Sequence, residues 1–497
     1  MIKTDKVLLV EILYFLIFIF LLRYLKVFQI KGVSNWIIPI GFTVKVLVGV
    51  VFLFIYLHPD TNNSVPSDTM RFMRESEILH NIFYQSPKDY FTLLFGITEN
   101  NVLVHKYLSE TFLWDAGSYT LVNDSRNLIR FNSLIHFISF GSAFIHNLFM
   151  CFIGIIGVKQ IYISFEKYTQ LNKTIFFFLI LSVPSLIFWT SGILKEPILF
   201  FGIALFTRTI LLKAILKKRI LLGIISLIIL LSFKPYNLIC TIPPLLFGFY
   251  NLTVFKTSII KSVIAVIVTI SLGILLLPNQ REKTVKYLSR KQFDFDHVGK
   301  GGIFTDYNDT AHLYFQMKDY DKIDVNMKDS SLQIINKTAV QIVSKRHDFK
   351  TIDSYKDASK TKFKVVYNVG GALSYIKTSP INNSFFQLIK NIPEALINSL
   401  LRPFPNDPGS ALKFVALFEL WFIFIILLVS LKLARNLNSV EKRLITALII
   451  FIISLSLVIG FTTPVLGAIF RYRFLNLLAI VIISAVIINP KKLNILR

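Results

Sequence analysis

Cysteine is almost missing from this chain: Cys151 and Cys240 are the only two in 497 residues, and both fall inside apolar runs. A disulfide framework and a cysteine-ligated metal centre are therefore not expected. Charge is scarce too. Charged residues make up 17% of the chain, against about 25% in a typical soluble domain. Acidic residues are the scarcer sign, 29 against 54 basic. No H-E-x-x-H, G-x-S-x-G or Walker A loop occurs, nor a G-x-G-x-x-G between a strand and a helix. These absences argue against an intramembrane zinc protease, a nucleotide-driven pump and a dinucleotide enzyme. No internal repeat or low-complexity tract is visible, which disfavours transporter folds built from repeats.

What the chain has is apolar sequence in long blocks. It is 54% hydrophobic with 47 Phe, and its mean hydropathy is +0.61. A bilayer-spanning helix needs about 20 apolar residues. Runs near that length lie at 7–23, 36–57, 134–158, 174–191, 197–213, 220–232, 237–255, 262–278, 411–431, 444–461 and 468–488. The expected fold is an all-α polytopic membrane protein of about eleven transmembrane helices. The pieces within 197–232 are short, so one could be re-entrant. No A-x-A-like site follows the first run, so it reads as a retained helix and not a cleaved signal peptide. The formal charge of +25 does not point to nucleic acid, because apolar spans interrupt the basic residues. It reports orientation and contact with anionic lipid.

With the N-terminus outside, the cytoplasmic connections hold nineteen Lys and Arg and the opposite short segments six. The positive-inside rule then gives an N-out, C-in topology. The chain divides into two helices (1–57), a first outer loop (58–133), six helices (134–278), a second outer segment (279–410) and three helices (411–497). The second outer segment has alternating stretches such as Lys362 to Val369 and a turn at Gly299, Gly301 and Gly302. It reads as a small mixed α/β insertion.

Ionisable residues at membrane depth are costly and mark function. Five clusters fall at the outer boundary. The first is Asp60, Asp68, Arg71, Arg74, Glu75 and Glu77; on a helix, Asp68, Arg71 and Glu75 share one face. A carboxylate beside a guanidinium stays ionised and suits a general base. The alternative is a solvated helix with internal ion pairs. The second is Lys195-Glu196-Pro197 at a break between helices, where helix ends can hold anions; the alternative is a tight hairpin with a snorkelling Lys. Lys234-Pro235 adds a cation at that depth, Arg402-Pro403-Phe404-Pro405 precedes a helix bearing Glu419, and Arg471-Tyr472-Arg473 opens the last helix. Glu419 needs a partner, with Arg402, Arg471 and Arg473 as candidates. Arg is suited to bidentate phosphate contact, although Arg471 and Arg473 could equally be interfacial anchors. His136 and His146 read as satisfied core residues. Cations with a few carboxylates at one face suit a substrate carrying a phosphate, such as a polyprenyl phosphate- or pyrophosphate-linked sugar. No cofactor is required by this pattern, though a divalent cation would be compatible.

The stretch from Pro184-Ser185 through Trp189, Ser191-Gly192 and Lys195-Glu196-Pro197 resembles bacterial membrane glycosyltransferases of the C-type superfamily. Arg402-Pro-Phe-Pro405 and Arg471-Tyr-Arg473 are similar to members from surface-polysaccharide loci. The resemblance covers about half the chain in scattered pieces. It implies a sugar taken from a lipid phosphate carrier, a glycan, lipid or protein acceptor, and an acidic base in the first large outer loop. Asp68 matches that role, with Asp60 and Glu75 behind it. Arg71, Lys195, Glu196, Lys234, Arg402, Arg471 and Arg473 would bind substrate. That loop follows the second helix here, whereas the superfamily places it after the first, with the N-terminus inside. The layout is similar instead to one group of oligosaccharide-repeat polymerases. A transporter or flippase of lipid-linked sugars is the third reading. The Phe-, Ile-, Lys- and Asn-rich composition suggests an AT-rich bacterial genome, and hence the inner (plasma) membrane.

Overall fold

In hydrocarbon the backbone must bond to itself, so long apolar runs fold as helices. A computed structural model describes residues 2–57, 67–96, 101–109, 111, 114, 123–211, 216–256, 258–308, 311–326, 329–344 and 351–493. Helices α1 (Ile2–Tyr24) and α2 (Ile37–Leu57) open the chain. Phe18 and Phe42 of this pair, with Phe149 and Phe152, form an aromatic seam at centroid distances of 4.9 to 5.8 Å.

Shorter amphipathic helices follow: α3 (Asp68–Gln85), α4 (Pro87–Phe95), α5 (Asn101–Leu108) and α6 (Asp124–Ser139). Each start of α3, α4 and α6 is written locally. Ser67, Ser86 and Asn123 cap the free N–H groups of their helices. These helices bury Phe72, Leu79, Tyr90, Leu93 and Leu128 in one shared core. The run at 134–158 is not one span. Phe140 and Gly141 both take positive φ, 53° and 78°, and end α6, after which Ser142 caps α7 (Ala143–Phe165). His136 and His146 therefore sit on different helices, and α6 groups with α3 to α5 instead of opening α7.

The run at 174–191 is also divided, into α8 (Lys173–Leu181) and α9 (Pro184–Trp189). Pro184 lacks an N–H and begins a new helix. Next come α10 (Glu196–Leu211), α11 (Leu216–Phe233), α12 (Tyr236–Phe249), which continues as a π-helical turn to Val254, and α13 (Ile259–Leu276). After the sheet region come α17 (Leu412–Lys432), α18 (Ser439–Thr462), α19 (Leu466–Tyr472) and α20 (Phe474–Ile487). Among the described residues six helices are long and apolar enough to cross a bilayer: α2, α7, α12 with its π turn, α13, α17 and α18. They become seven if α19 and α20, bent by 45°, count as one. The chain is thus a helical membrane protein. Eleven spans were expected; several of the runs between 174 and 232 fold as short pieces, the shortest of 6 residues. Ile260, Ile264, Ile267 and Leu275 of α13 face outward, as lipid contact requires.

Between α13 and α17 lie α14 (Pro278–Lys300), strands β1 (Gly302–Asn308), β2 (Ala311–Gln316), β3 (Ile323–Asn326), β4 (Ser331–Ile334), β5 (Thr338–Ser344), β6 (Thr351–Lys356) and β7 (Phe363–Val369), then α15 (Phe385–Lys390) and α16 (Ile392–Leu400). The insertion is a seven-stranded sheet in the order β3-β4-β7-β1-β2-β5-β6. Every pair in it is antiparallel. Alternating residues Ile303, Leu313, Phe315, Leu332 and Val340 fill one face. The stretch expected to be extended is β7. The glycine turn is at Gly301 (φ 72°), which ends α14, while Gly299 stays in that helix. The segment after β7 is tied to the α18–α19 hinge: Ile376 N–H donates to Pro464 O at 2.7 Å, and Leu466 N–H to Ser374 O at 2.9 Å.

Candidate functional site

The break between α9 and α10 organises the site. Lys45, in the middle of α2 and fully buried, donates to Thr190 O (2.8 Å), Thr190 Oγ1 (2.6 Å) and Ser191 Oγ (3.0 Å). A charged side chain in an apolar helix needs such acceptors, and here they are the carbonyl and hydroxyls released where helix α9 ends. Glycine makes the approach possible. A Cβ on Gly154 would lie 2.6 Å from Thr190 O, and one on Gly192 would lie 2.3 Å from the Phe52 ring.

The break delivers Lys195 and Glu196 to a buried ion network. Glu196 is in the first turn of α10, where the helix dipole favours a carboxylate. Its Oε1 accepts from Arg471 Nε at 2.7 Å and from Lys234 Nζ at 3.0 Å. Its Oε2 is buried without a hydrogen-bond partner. Arg471 uses Nη1 to reach Asp68 Oδ2 at 2.9 Å. Lys234 also lies 4.1 Å from the Tyr472 ring. Lys195 turns to Asp124 Oδ2 (2.8 Å) and Ser125 Oγ (2.9 Å) on α6.

Exposure grades along this network. The side chain of Glu196 is 1% exposed, that of Arg471 14% and that of Asp68 49%. Asp68 is the outer, wetter end, held at the first turn of α3 because Ser67 caps that helix and donates to Tyr56 O at 2.5 Å. Desolvation pushes the Asp68 carboxyl up, but Arg471, followed by Lys195, outweighs this and holds it below the usual carboxylate range. Arg71, half-buried, lies within electrostatic reach of Asp68 and Glu75, and Glu75 is buried. Asp60 lies outside the described residues.

Beside the network is an open cavity of about 500 Å³ walled by Val48, Tyr56, Phe188, Trp189 and Phe470, with Glu419 in its lining. Tyr56 joins the two, since it also lies within electrostatic reach of Arg471, Asp68 and Glu196. Glu419 accepts from Ser185 N–H at 2.6 Å, with the buried Ser185 hydroxyl beside it. Largely apolar walls with a few convergent polar groups are the makings of a ligand pocket.

Two arginines lie apart from the Asp68 network. Arg402 is bound to Asp407 and, at 2.9 Å, to Asn398 Oδ1. Arg473 is buried and donates to the Arg402 and Ala416 carbonyls. Of the partners expected for Glu419, Arg473 is the one in electrostatic reach. Arg402 thus braces the turn between α16 and α17, and Arg473 holds the backbone at Arg402 and in α17. His146 is bonded to Asn132 and Ser139, and His136 to Ser76. Among the described residues, no group of three or more His, Cys, Asp or Glu side chains is placed to hold a metal ion.

Sequence reasoning missed Lys45, Tyr56 and Asp124. Lys45 carried a usable signal, a lone cation inside an apolar run. Tyr56 and Asp124 carried none, because nothing local pairs them with residues near 196 and 471. Comparison of the chain with family models, curated proteins and solved structures gives no match.

Proposed function

We propose that the chain is a membrane glycosyltransferase that moves a sugar from a polyprenyl-phosphate-type carrier to an acceptor hydroxyl at the extracytoplasmic face of the plasma membrane, in cell-surface glycan synthesis. The observation that carries this is the Asp68–Arg471 pair, 2.9 Å apart, at the edge of an apolar cavity that Tyr56 shares.

Arg471, Lys195 and Lys234 are each already matched by Asp68, Glu196 or Asp124. A phosphate entering this network must therefore replace a carboxylate. Asp68 is the exposed one, so it is the one that yields. Once freed, its carboxylate takes the proton of the acceptor hydroxyl. The hydroxyl oxygen bonds to the anomeric carbon as that carbon's bond to the phosphate oxygen breaks. The electron pair leaves on the phosphate, whose charge Arg471 meets. The cavity takes the start of the lipid tail.

The reading uses an N-out, C-in topology. Eleven spans result if α1, α8 with α9, α10 and α11 each cross in addition to the seven apolar helices. Asp68, the α9–α10 break and the sheet then all face outward.

The test is surface-glycan profiling of cells carrying Asp68→Asn, with the protein's membrane level checked. Normal protein with truncated or missing glycan supports the reading. Loss of long chains alone would make the enzyme a repeat-unit polymerase. Unchanged glycan in a deletion strain would overturn the enzyme and bring transport of lipid-linked sugars forward.

A further inference from the structure

A second opening lies in the insertion, between α14 and the segment 375–382. It measures about 340 Å³ and is lined by Phe293, Asp296, Lys300, Tyr375, Lys377 and Asn382, among others. We propose that this cleft binds a saccharide, and that the saccharide is the acceptor glycan. The word acceptor rests on the glycosyltransferase reading; the saccharide site does not.

The lining has the chemistry of a sugar in negative. A pyranose has an apolar C–H face and an edge of hydroxyls that both donate and accept. Here two half-buried rings, Phe293 and Tyr375, supply apolar surface. A carboxylate, two ammonium groups and an amide supply both hydrogen-bond roles. The carboxylate disfavours a purely anionic ligand, and the lysines disfavour a purely cationic one.

The groups are set in advance. Asp296 Oδ1 accepts from Tyr375 OH at 2.7 Å, and Oδ2 from Lys300 Nζ at 2.5 Å. The far wall is stapled to α14. Gln292 donates to Ser379 O at 3.0 Å and accepts from Ile381 N–H at 2.8 Å, and Asn383 N–H donates to Ser289 Oγ at 2.9 Å. Asn382 and Asn383 both hold positive φ, 51° and 56°. That conformation is uncommon for residues with a side chain, and here it places the exposed Asn382 at the rim.

Position connects the cleft to the proposed chemistry. Ser374 lines the large cavity, and its neighbour Tyr375 lines the cleft. Ser374 and Tyr375 stand where a turn closes, with Tyr375 N–H donating to Ala372 O at 3.0 Å, so two adjacent residues border the two spaces. That segment bonds to Pro464 and Leu466, at the start of α19, the helix that carries Arg471.

The experiment uses the full-length protein in nanodiscs with two probes, chitotetraose (neutral) and trigalacturonate (acidic), followed by saturation-transfer NMR and titration. At least one probe binds, with saturation strongest on ring C–H protons. Tyr375→Ala and Asp296→Asn each weaken binding at least tenfold. Lys377→Glu changes an exposed rim residue and leaves the fold intact; it weakens trigalacturonate relative to chitotetraose. Asp68→Asn binds the probe as the unmutated protein does. Absence of binding by both probes, or binding unaffected by Tyr375→Ala, Asp296→Asn and Lys377→Glu, overturns the site. Binding as described, with normal glycans in Asp68→Asn cells, would sink the catalytic reading and leave the saccharide site standing.

Discussion

Asp68 and Arg471 are 403 positions apart in the chain and 2.9 Å apart in space. One is the first residue of a helix outside the apolar runs; the other is near the end of the short helix before the last. Arg471 simultaneously holds Glu196. The guanidinium is thus a fork with two carboxylates, one buried and one half-exposed.

Arg471→Lys tests the fork. An ammonium is a point donor on a flexible stem and cannot span both carboxylates as a planar guanidinium does. Glycan output in cells should fall, by about 10²-fold or more in an assay of membranes, because positioning and charge stabilisation are both lost. Output equal to the unmutated protein would show that Arg471 is an anchor only. Asp68→Asn should cost about 10²–10⁴-fold, the range for removing a general base.

A pH dependence follows from the same pair. Arg471 keeps the Asp68 carboxyl below its usual range, near 3.9 for an unperturbed Asp. In the free protein Asp68 is therefore ionised down to low pH. Arg471→Gln removes the main cation and leaves desolvation, the largest influence, acting upward against Lys195. The acid limb of the residual rate against pH should move to higher pH. The profile of kcat/KM between pH 4 and 8, measured for both proteins on membranes, checks the sign; an unmoved limb would mean that Asp68 is not the titrating base.

Lys45→Met leaves the Thr190 and Ser191 hydroxyls without their buried donor. The expected loss is about 1–3 kcal/mol, read as a lower unfolding midpoint in detergent. Since those groups form the break that presents Glu196, affinity for substrate should fall as well. A Met variant as stable and active as the original would show that the break is held by packing alone.

Gly192→Ala puts a Cβ 2.3 Å from the Phe52 ring. Phe52 is fully buried and stacked on Tyr56, with centroids 4.4 Å apart, so it has nowhere to turn. Overpacking of this kind costs about 1–3 kcal/mol, and the displaced Tyr56 would also disturb the cavity. Reduced protein in membranes together with lower activity per molecule is expected. Gly223→Ala, whose Cβ would meet Thr209 at an ordinary 3.4 Å, is the control that should change neither.

Much of this site was legible as a set of residues and little of it as an arrangement. Asp68, Lys195, Glu196, Lys234 and Arg471 stood out because charge next to apolar runs is rare in this chain. The α9–α10 break was visible from Ser191-Gly192 and Pro197. Their pairing was not visible. Nothing near residue 195 says that Lys195 meets Asp124 while Glu196 takes both Lys234 and Arg471. Arg402 resembled Arg471 in sequence, yet Asp407, five residues on, captures it locally.

The helical membrane character was determined by the sequence alone, because transfer of a side chain to hydrocarbon depends on that side chain and its near neighbours, and twenty such residues in a row settle the matter. The helix starts at Ser67, Ser86, Asn123 and Ser142 were local in the same sense. The tertiary structure decided which apolar runs stay whole, since Phe140 and Pro184 interrupt runs that hydropathy averages over. It also decided which carboxylate holds which cation. Ion pairs in a low-dielectric interior depend on distances of a few ångströms, and those distances are set by how Gly49, Gly154 and Gly192 let α2, α7 and the α9–α10 break close on one another.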